Sequence, residues 1–201
     1  MKYVVCNLKS HLNDFNIKDY LETIKKITYK NVIFCVSNDY INLFNGYKLC
    51  TQDYYEEIEK EYALIGHYEK HEPKEVVKDK LNKAIHKNIK IILCIGNSDI
   101  NNYDEVKNQL KYYLNNTKNI IIAYEPYEMI GSNNEIDIRE IENIVKKIKN
   151  DFNNIKVLYG GNVNENNIER ILDVTDGVLI GRFSYNPHKF TKIINKIEKS
   201  I

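Results

Sequence analysis

With 201 residues the chain is long enough to bury one large core, and it sits at the short end of what a single-domain α/β barrel requires. Its 43% hydrophobic and 28% charged residues, with a net charge of +1, are those of a globular protein and single out neither nucleic acid nor a membrane surface as a partner. The opening MKYVVCNLKS has an apolar run too short for a signal peptide, and no stretch reaches the roughly 18 apolar residues of a spanning helix, so a cytoplasmic location is expected.

Short apolar, β-branched runs alternate with segments of helical periodicity. YVVC (3–6) comes first, followed by a stripe of Ile17, Leu21, Ile24 and Ile27. NVIFCV (31–36), YKLCT (47–51) and YALIG (62–66) follow, with connections that leave only about two helical turns after the second and third runs. Val76, Val77, Leu81 and Ile85 form the next stripe, then IKIILCIG (89–96), then Val106, Leu110 and Leu114. NIIIAY (119–124) is followed by Ile138, Ile141, Val145 and Ile148, and the chain closes with IKVLYGG (155–161) and GVLIG (177–181). The runs lack polar alternation, which suits strands buried on both faces. Eight such strands between helices imply a parallel sheet with right-handed crossovers, and the count favours one (β/α)8 barrel over residues 1–201 with pared-down helices after strands two and three. An open doubly wound sheet is the alternative fold, although no G-x-G-x-x-G follows the first strand. Cys6, Cys35, Cys50 and Cys94 accompany separate apolar runs without C-x-x-C spacing and read as reduced core thiols.

In a barrel of this kind the carboxyl ends of the strands carry the chemistry. Asn7 and Lys9 follow strand one, Gln52 strand three, His67 and Glu69 strand four, Glu125 strand six, Gly160-Gly161-Asn162 strand seven, and Gly181-Arg182 strand eight. Taken singly, Lys9 reads as a solvated lysine, His67 as a structural histidine and Gly160-Gly161 as a turn. Glu125 is different, because a carboxylate closing the run IIIAY is expensive to desolvate unless something uses it. Together these residues place a base, a neutral donor, a fixed cation and glycine-bearing loops on one rim, which suits proton abstraction beside the carbonyl of a phosphorylated substrate.

At these positions the sequence resembles the triosephosphate isomerase family, in order and over essentially the whole chain. The family's G-N-W-K appears as CNLK (6–9), A-A-Q-N as CTQD (50–53), L-G-H-S-E-R-R as IGHYEKH (65–71) and C-I-G-E as CIGN (94–97). A-Y-E-P-V-W-A-I-G-T-G appears as AYEPYEMIGSN (123–133), Y-G-G-S-V as YGGNV (159–163) and L-V-G-G-A-S-L as LIGRFSY (179–185). The resemblance implies a glycolytic and gluconeogenic isomerase of dihydroxyacetone phosphate and D-glyceraldehyde 3-phosphate, with no cofactor and no metal. Glu125 would be the base. His67 would polarise the carbonyl as a neutral imidazole beside the amino end of a short helix. Lys9 would stabilise enediolate charge, Asn7 would orient the substrate and Glu69 would support the site. Backbone N–H groups of Gly131, Asn162, Gly181 and Arg182 would hold the phosphate under a lid formed by residues 127–133.

The sequence departs from the family pattern at Glu128, Met129 and Asn133 in the lid, which replace Trp, Ala and Gly, and at Arg182, which replaces the second of two glycines. The Arg182 guanidinium either adds a charge-assisted contact to the phosphate or points to solvent. Gln52 and His67 stand so close in sequence that the family's long third loop is mostly missing. The resemblance implies a homodimer, and the shortened loop fits a monomer equally well. Two other functional readings stay open: a barrel isomerase acting on another small phosphorylated ligand, and a non-catalytic binding relative.

Overall fold

The computed structural model describes residues 1–9, 11–52, 60–114, 120–134, 137–153 and 155–200, and its eight parallel strands close into a barrel in chain order. They are β1 (Tyr3–Asn7), β2 (Val32–Val36), β3 (Lys48–Thr51), β4 (Tyr62–Ile65), β5 (Lys90–Ile95), β6 (Ile120–Tyr124), β7 (Lys156–Tyr159) and β8 (Gly177–Ile180). Each coincides with one apolar run of the sequence to within a residue or two. Val5 of β1 lies beside Ile33 of β2 on one side and Leu179 of β8 on the other, so the sheet has no free edge and the open alternative does not apply.

Two layers of apolar side chains explain the unbroken hydrophobic runs. One cluster consists only of strand residues of a single parity, among them Val5, Ile33, Cys50, Leu64, Ile92 and Leu158, and this is the filling of the barrel. The strand residues of opposite parity, such as Val4, Phe34 and Ile122, pack instead with helical residues including Ile144, Ile193 and Leu81. A strand between two such layers has no solvent face on which to place polar residues. All four cysteines are buried and unpaired, and burial pushes the Cys6 thiol up to about 12.

Among the described residues six α-helices surround the sheet: α1 (Ile17–Ile24), α2 (Lys74–His86), α3 (Tyr103–Tyr113), α4 (Ile138–Asp151), α5 (Ile168–Val174) and α6 (Pro187–Ser200). Local signals start several of them. The Asp137 side chain accepts from the Arg139 N–H at 2.9 Å ahead of α4, and Pro187 opens α6 where its missing N–H costs nothing. Two apolar stripes differ from expectation. In α2 the buried face is Val77, Leu81 and Ala84 while Val76 is exposed, because adjacent residues lie about 100° apart and only one of Val76 and Val77 can face the sheet. In α1, which ends at Ile24, Tyr20 and Thr23 join Ile17 and Ile24 on the buried face, and Ile27 lies beyond the helix. The Tyr20 hydroxyl donates to the Ser184 carbonyl at 2.9 Å, which makes burial of that ring tolerable.

After β2 the chain makes a single 3-10 turn, Ile41–Leu43, shorter than the two helical turns expected. The matching expectation after β3 falls on residues 53–59, outside the described residues. Among the described residues no helix is long and apolar enough to cross a membrane. The interior layer should carry much of the stability. Leu158→Ala, at a fully buried interior position, is expected to cost about 2–5 kcal/mol, whereas Leu43→Ala, 52% exposed, should cost well under about 1 kcal/mol. Urea denaturation midpoints of the two variants check the contrast.

Candidate active site

Strand parity carries polar side chains to the mouth of the barrel. Val5 faces inward on β1, so Asn7, two residues on, faces inward at the rim; Ile121 and Ala123 do so on β6, and Glu125 continues the row. The Glu125 N–H donates to the Ile95 carbonyl at 2.8 Å, which extends the β5–β6 ladder by one residue and fixes where this side chain emerges. Glu125 is 1% exposed and Asn7 is fully buried. The side-chain candidates Asn7, Lys9, His67, Glu69 and Glu125 all line one cavity of about 250 Å³, and the phosphate-cradle candidates Gly131, Asn162, Gly181 and Arg182 line the same cavity.

Lys9 adopts a left-handed backbone, φ 49°, a conformation that costs a non-glycine residue on the order of 1–2 kcal/mol. Neighbouring side chains hold it there. Gln52 lies against Asn7, and with its amide oxygen turned to Lys9 it accepts from the Lys9 N–H at 2.9 Å. The Lys9 ammonium pairs with Glu69 and lies 5.9 Å from the centre of the Tyr185 ring. Burial alone would pull the Lys9 ammonium down, but the Glu69 carboxylate and Tyr185 outweigh it and hold it above the ordinary lysine range. Burial alone would likewise push Glu69 up, and Lys9 holds it below the ordinary carboxylate range instead. The pair is charged, and the cation is aimed into the cavity.

Glu125 meets His67 directly. The imidazole Nδ1 lies 2.8 and 3.1 Å from the two carboxylate oxygens, and the Tyr68 N–H donates to Oε2 at 3.3 Å. A ring nitrogen facing two carboxylate oxygens carries a proton, so Nδ1 donates to Glu125. Nε2 is buried without a hydrogen-bond partner and lies 3.9 Å from a Glu69 oxygen. This differs from the arrangement that the resemblance implies. The short helix is a 3-10 turn of three residues, Tyr68–Lys70, and its first N–H serves Glu125 rather than the imidazole.

The segment expected to form a lid begins with a 3-10 turn, Tyr127–Met129, in which Glu128 is exposed. The Tyr127 ring stacks on Tyr68 with centroids 4.0 Å apart, next to the Glu125–His67 pair. Gly131 has φ 70°, and the Arg182 guanidinium reaches across to this segment. Arg182 is exposed and lines the cavity, and its guanidinium donates to the Gly131 and Ser132 carbonyls. The Asn162 side chain donates to the Asn134 carbonyl at 3.0 Å, so the loop after β7 also touches the chain just beyond this segment.

Sequence reasoning passed over His11 and Tyr185. Their rings stack 3.5 Å apart and both line the cavity, but no spacing marks them, because they meet only when β1 and β8 pair. It also passed over the Tyr68–Tyr127 stack, where the available signal was adjacency, since Tyr68 follows His67 and Tyr127 stands two residues after Glu125. Among the described residues, His67, Cys94 and Glu125 offer possible metal-ligand atoms within 4.8 Å of one another. Burial, reinforced by the adjacent Glu125 carboxylate, holds the Cys94 thiol well above its ordinary range. The trio as it stands is a hydrogen-bonded acid–base set with no thiolate to offer.

Comparison with known proteins agrees with this geometry. The profile of the family described as triosephosphate isomerase matches residues 50–197. The chain is 30% identical over 249 aligned positions to the triosephosphate isomerase of Orientia tsutsugamushi (strain Boryong), covering 97% of each chain. It is 38% identical over 141 positions to that of Campylobacter jejuni subsp. doylei, covering 66% of this chain and 63% of that protein. It is 34% identical over 156 positions to that of Thermodesulfovibrio yellowstonii, covering 67% of this chain and 63% of that protein. The profile match over most of the chain and the end-to-end match to the first of these relatives carry one conclusion: the chain belongs to the triosephosphate isomerase family.

Proposed function

We propose that the protein interconverts dihydroxyacetone phosphate and D-glyceraldehyde 3-phosphate through an enediolate, as a step of glycolysis and gluconeogenesis in the cytoplasm, with residues 1–201 acting as one catalytic domain. The observation that carries this reading is the single small cavity in which a buried carboxylate, an imidazole, an ion-paired lysine and glycine-bearing loops face one another. The proton moves within one substrate molecule, so the chemistry calls for neither a redox cofactor nor a second substrate.

Backbone N–H groups of Gly131, Asn162, Gly181 and Arg182 hold the phosphate, a neutral cradle for a dianion. The cavity, about 250 Å³, has room for a three-carbon phosphate, and residues 127–133 close over it and keep water from the intermediate. Glu125 leaves the Tyr68 N–H and the His67 Nδ1 to take a proton from the carbon beside the carbonyl, then returns it to the neighbouring carbon. Negative charge that develops on the substrate oxygens falls to Lys9 and His67, with Asn7 fixing the orientation. When Glu125 departs, Nδ1 loses its acceptor, and its N–H is free to turn toward the substrate oxygen.

Three measurements test these assignments. In an assay that couples glyceraldehyde 3-phosphate formation to a dehydrogenase, Glu125→Gln should lose on the order of 10²–10⁴ in rate, and Glu128→Ala, at an exposed position, should stay within about threefold of wild type. Equal rates for Glu125→Gln and wild type sink the mechanism. A Cβ added at Gly160 would sit 2.9 Å from the Glu125 Cγ, so Gly160→Ala should displace the base and cost on the order of 10–10² in kcat while the melting temperature moves little. An unmoved kcat there separates Glu125 from the chemistry. Glu69 favours the charged form of Lys9, so Glu69→Gln lowers the lysine pKa and leaves burial opposed by Tyr185 alone. The alkaline limb of the kcat/KM profile should therefore move to lower pH, and an unmoved limb removes Lys9 from the role of charged stabiliser.

A further inference from the structure

Arg182 stands outside the roles assigned so far to its side chain. Its Nη1 donates to the Gly131 carbonyl at 2.9 Å, and its Nη2 donates to the Ser132 carbonyl at 2.8 Å and to the Asn133 Oδ1 at 3.0 Å. Three acceptors on three consecutive residues thus converge on one guanidinium. The acceptors belong to the lid, while Arg182 opens the 3-10 turn Arg182–Ser184 that follows β8, two strands on from β6. The planar fork is what makes this possible, since two parallel N–H groups can span adjacent carbonyls and a third donor remains for the side-chain amide. The Phe183 ring lies 5.2 Å from the guanidinium carbon and limits where the fork can swing.

These contacts bear on the phosphate cradle. Gly131 has φ 70°, and its N–H can face the cavity only while the peptides around it keep that turn. The Arg182 bonds engage the carbonyls of Gly131 and Ser132, on the two peptides that directly follow the Gly131 N–H. They also link the lid segment to the loop whose Gly181 and Arg182 N–H groups stand in the same cradle. The sequence motif carries glycine at this position in the family it resembles, so the fastening is a property of this chain.

We propose that Arg182 is a positioning residue that fastens the carboxyl-terminal half of the lid, Gly131–Asn133, to the β8–α6 loop, and so preorganises the Gly131 N–H for the substrate phosphate. This rests on the phosphate-cradle reading above, and its test includes a readout that does not depend on turnover. Amide hydrogen exchange at residues 131–134 of the unliganded protein, the KM and kcat for glyceraldehyde 3-phosphate, and inhibition by inorganic phosphate are measured for wild type, Arg182→Met and Arg182→Lys. The loss of three charge-assisted bonds at an exposed site should speed exchange in Arg182→Met by about tenfold and raise both KM and the phosphate inhibition constant by about tenfold, with kcat moving by less than about threefold. Arg182→Lys should recover little, because a single ammonium cannot span the three acceptors. Unchanged exchange in Arg182→Met, accelerated exchange with unchanged KM, or restoration of phosphate affinity by Arg182→Lys each overturns the proposal, the last by assigning the effect to charge on the phosphate. The failure of isomerisation itself is read separately, from Glu125→Gln.

Discussion

The structure depends on the alternation of side chains along eight strands that have no edge. A closed parallel sheet sends every second residue into an interior filled by side chains and every other residue against a helix, so a polar group is admissible only where a strand runs out. That constraint places the site. Val5 leads to Asn7, Ile121 and Ala123 lead to Glu125, Leu158 leads to Gly160 and Leu179 leads to Gly181, all at one parity and all at the same rim. No loop has to search for these positions, because strand register delivers them.

The most costly of these placements is Glu125. A carboxylate that is 1% exposed loses its water, and the cost is several kcal/mol unless hydrogen bonds replace it. The Tyr68 N–H and the His67 Nδ1 supply them. Neither partner is a lysine. The nearby cation, Lys9, is paired with Glu69 instead, and a direct ion pair with Glu125 would lower that carboxyl's proton affinity and blunt it as a base. The cavity therefore keeps two acid–base couples side by side. One fixes a positive charge, and the other holds a buried carboxylate by hydrogen bonds from an imidazole and a backbone N–H.

The fold was legible in the sequence because burial on both faces leaves an unmistakable trace, an apolar run such as IIIAY or NVIFCV bounded by polar residues. Helix faces were less legible. Val76 and Val77 are equally apolar, and only the tilt of α2 on the sheet decides that Val77 is inside. In the site, residue types at strand ends could be read off the chain, since each chemical group announces itself there. Partnerships could not. That Nδ1 of His67 faces Glu125, that Tyr185 stacks on His11, and that Arg182 turns to the carbonyls of Gly131 and Ser132 are facts about distances between different loops, and periodicity carries no information about them.

The same loops show how a shortened barrel keeps its rim in order. The Orientia relative aligns over 249 positions against 201 residues here, so the match spans gaps, and after β2 the connection is reduced to one 3-10 turn. Bracing comes from short-range contacts between neighbouring βα loops: Gln52 against Asn7, Tyr127 on Tyr68, Asn162 on the Asn134 carbonyl, and Arg182 on the lid. At the Gly131–Asn134 end these braces are hydrogen bonds, one from the buried Asn162 amide and the others from the exposed Arg182 guanidinium, not apolar packing. Such bonds exchange with water at a net cost near 1 kcal/mol each, so they can order a segment without locking it. At the hinge end, beside Glu125, the brace is an aromatic stack whose separation would expose apolar surface. The asymmetry makes Gly131–Asn134 the easier end of this segment to release, while the peptide that carries Glu125 stays bonded in the β5–β6 ladder.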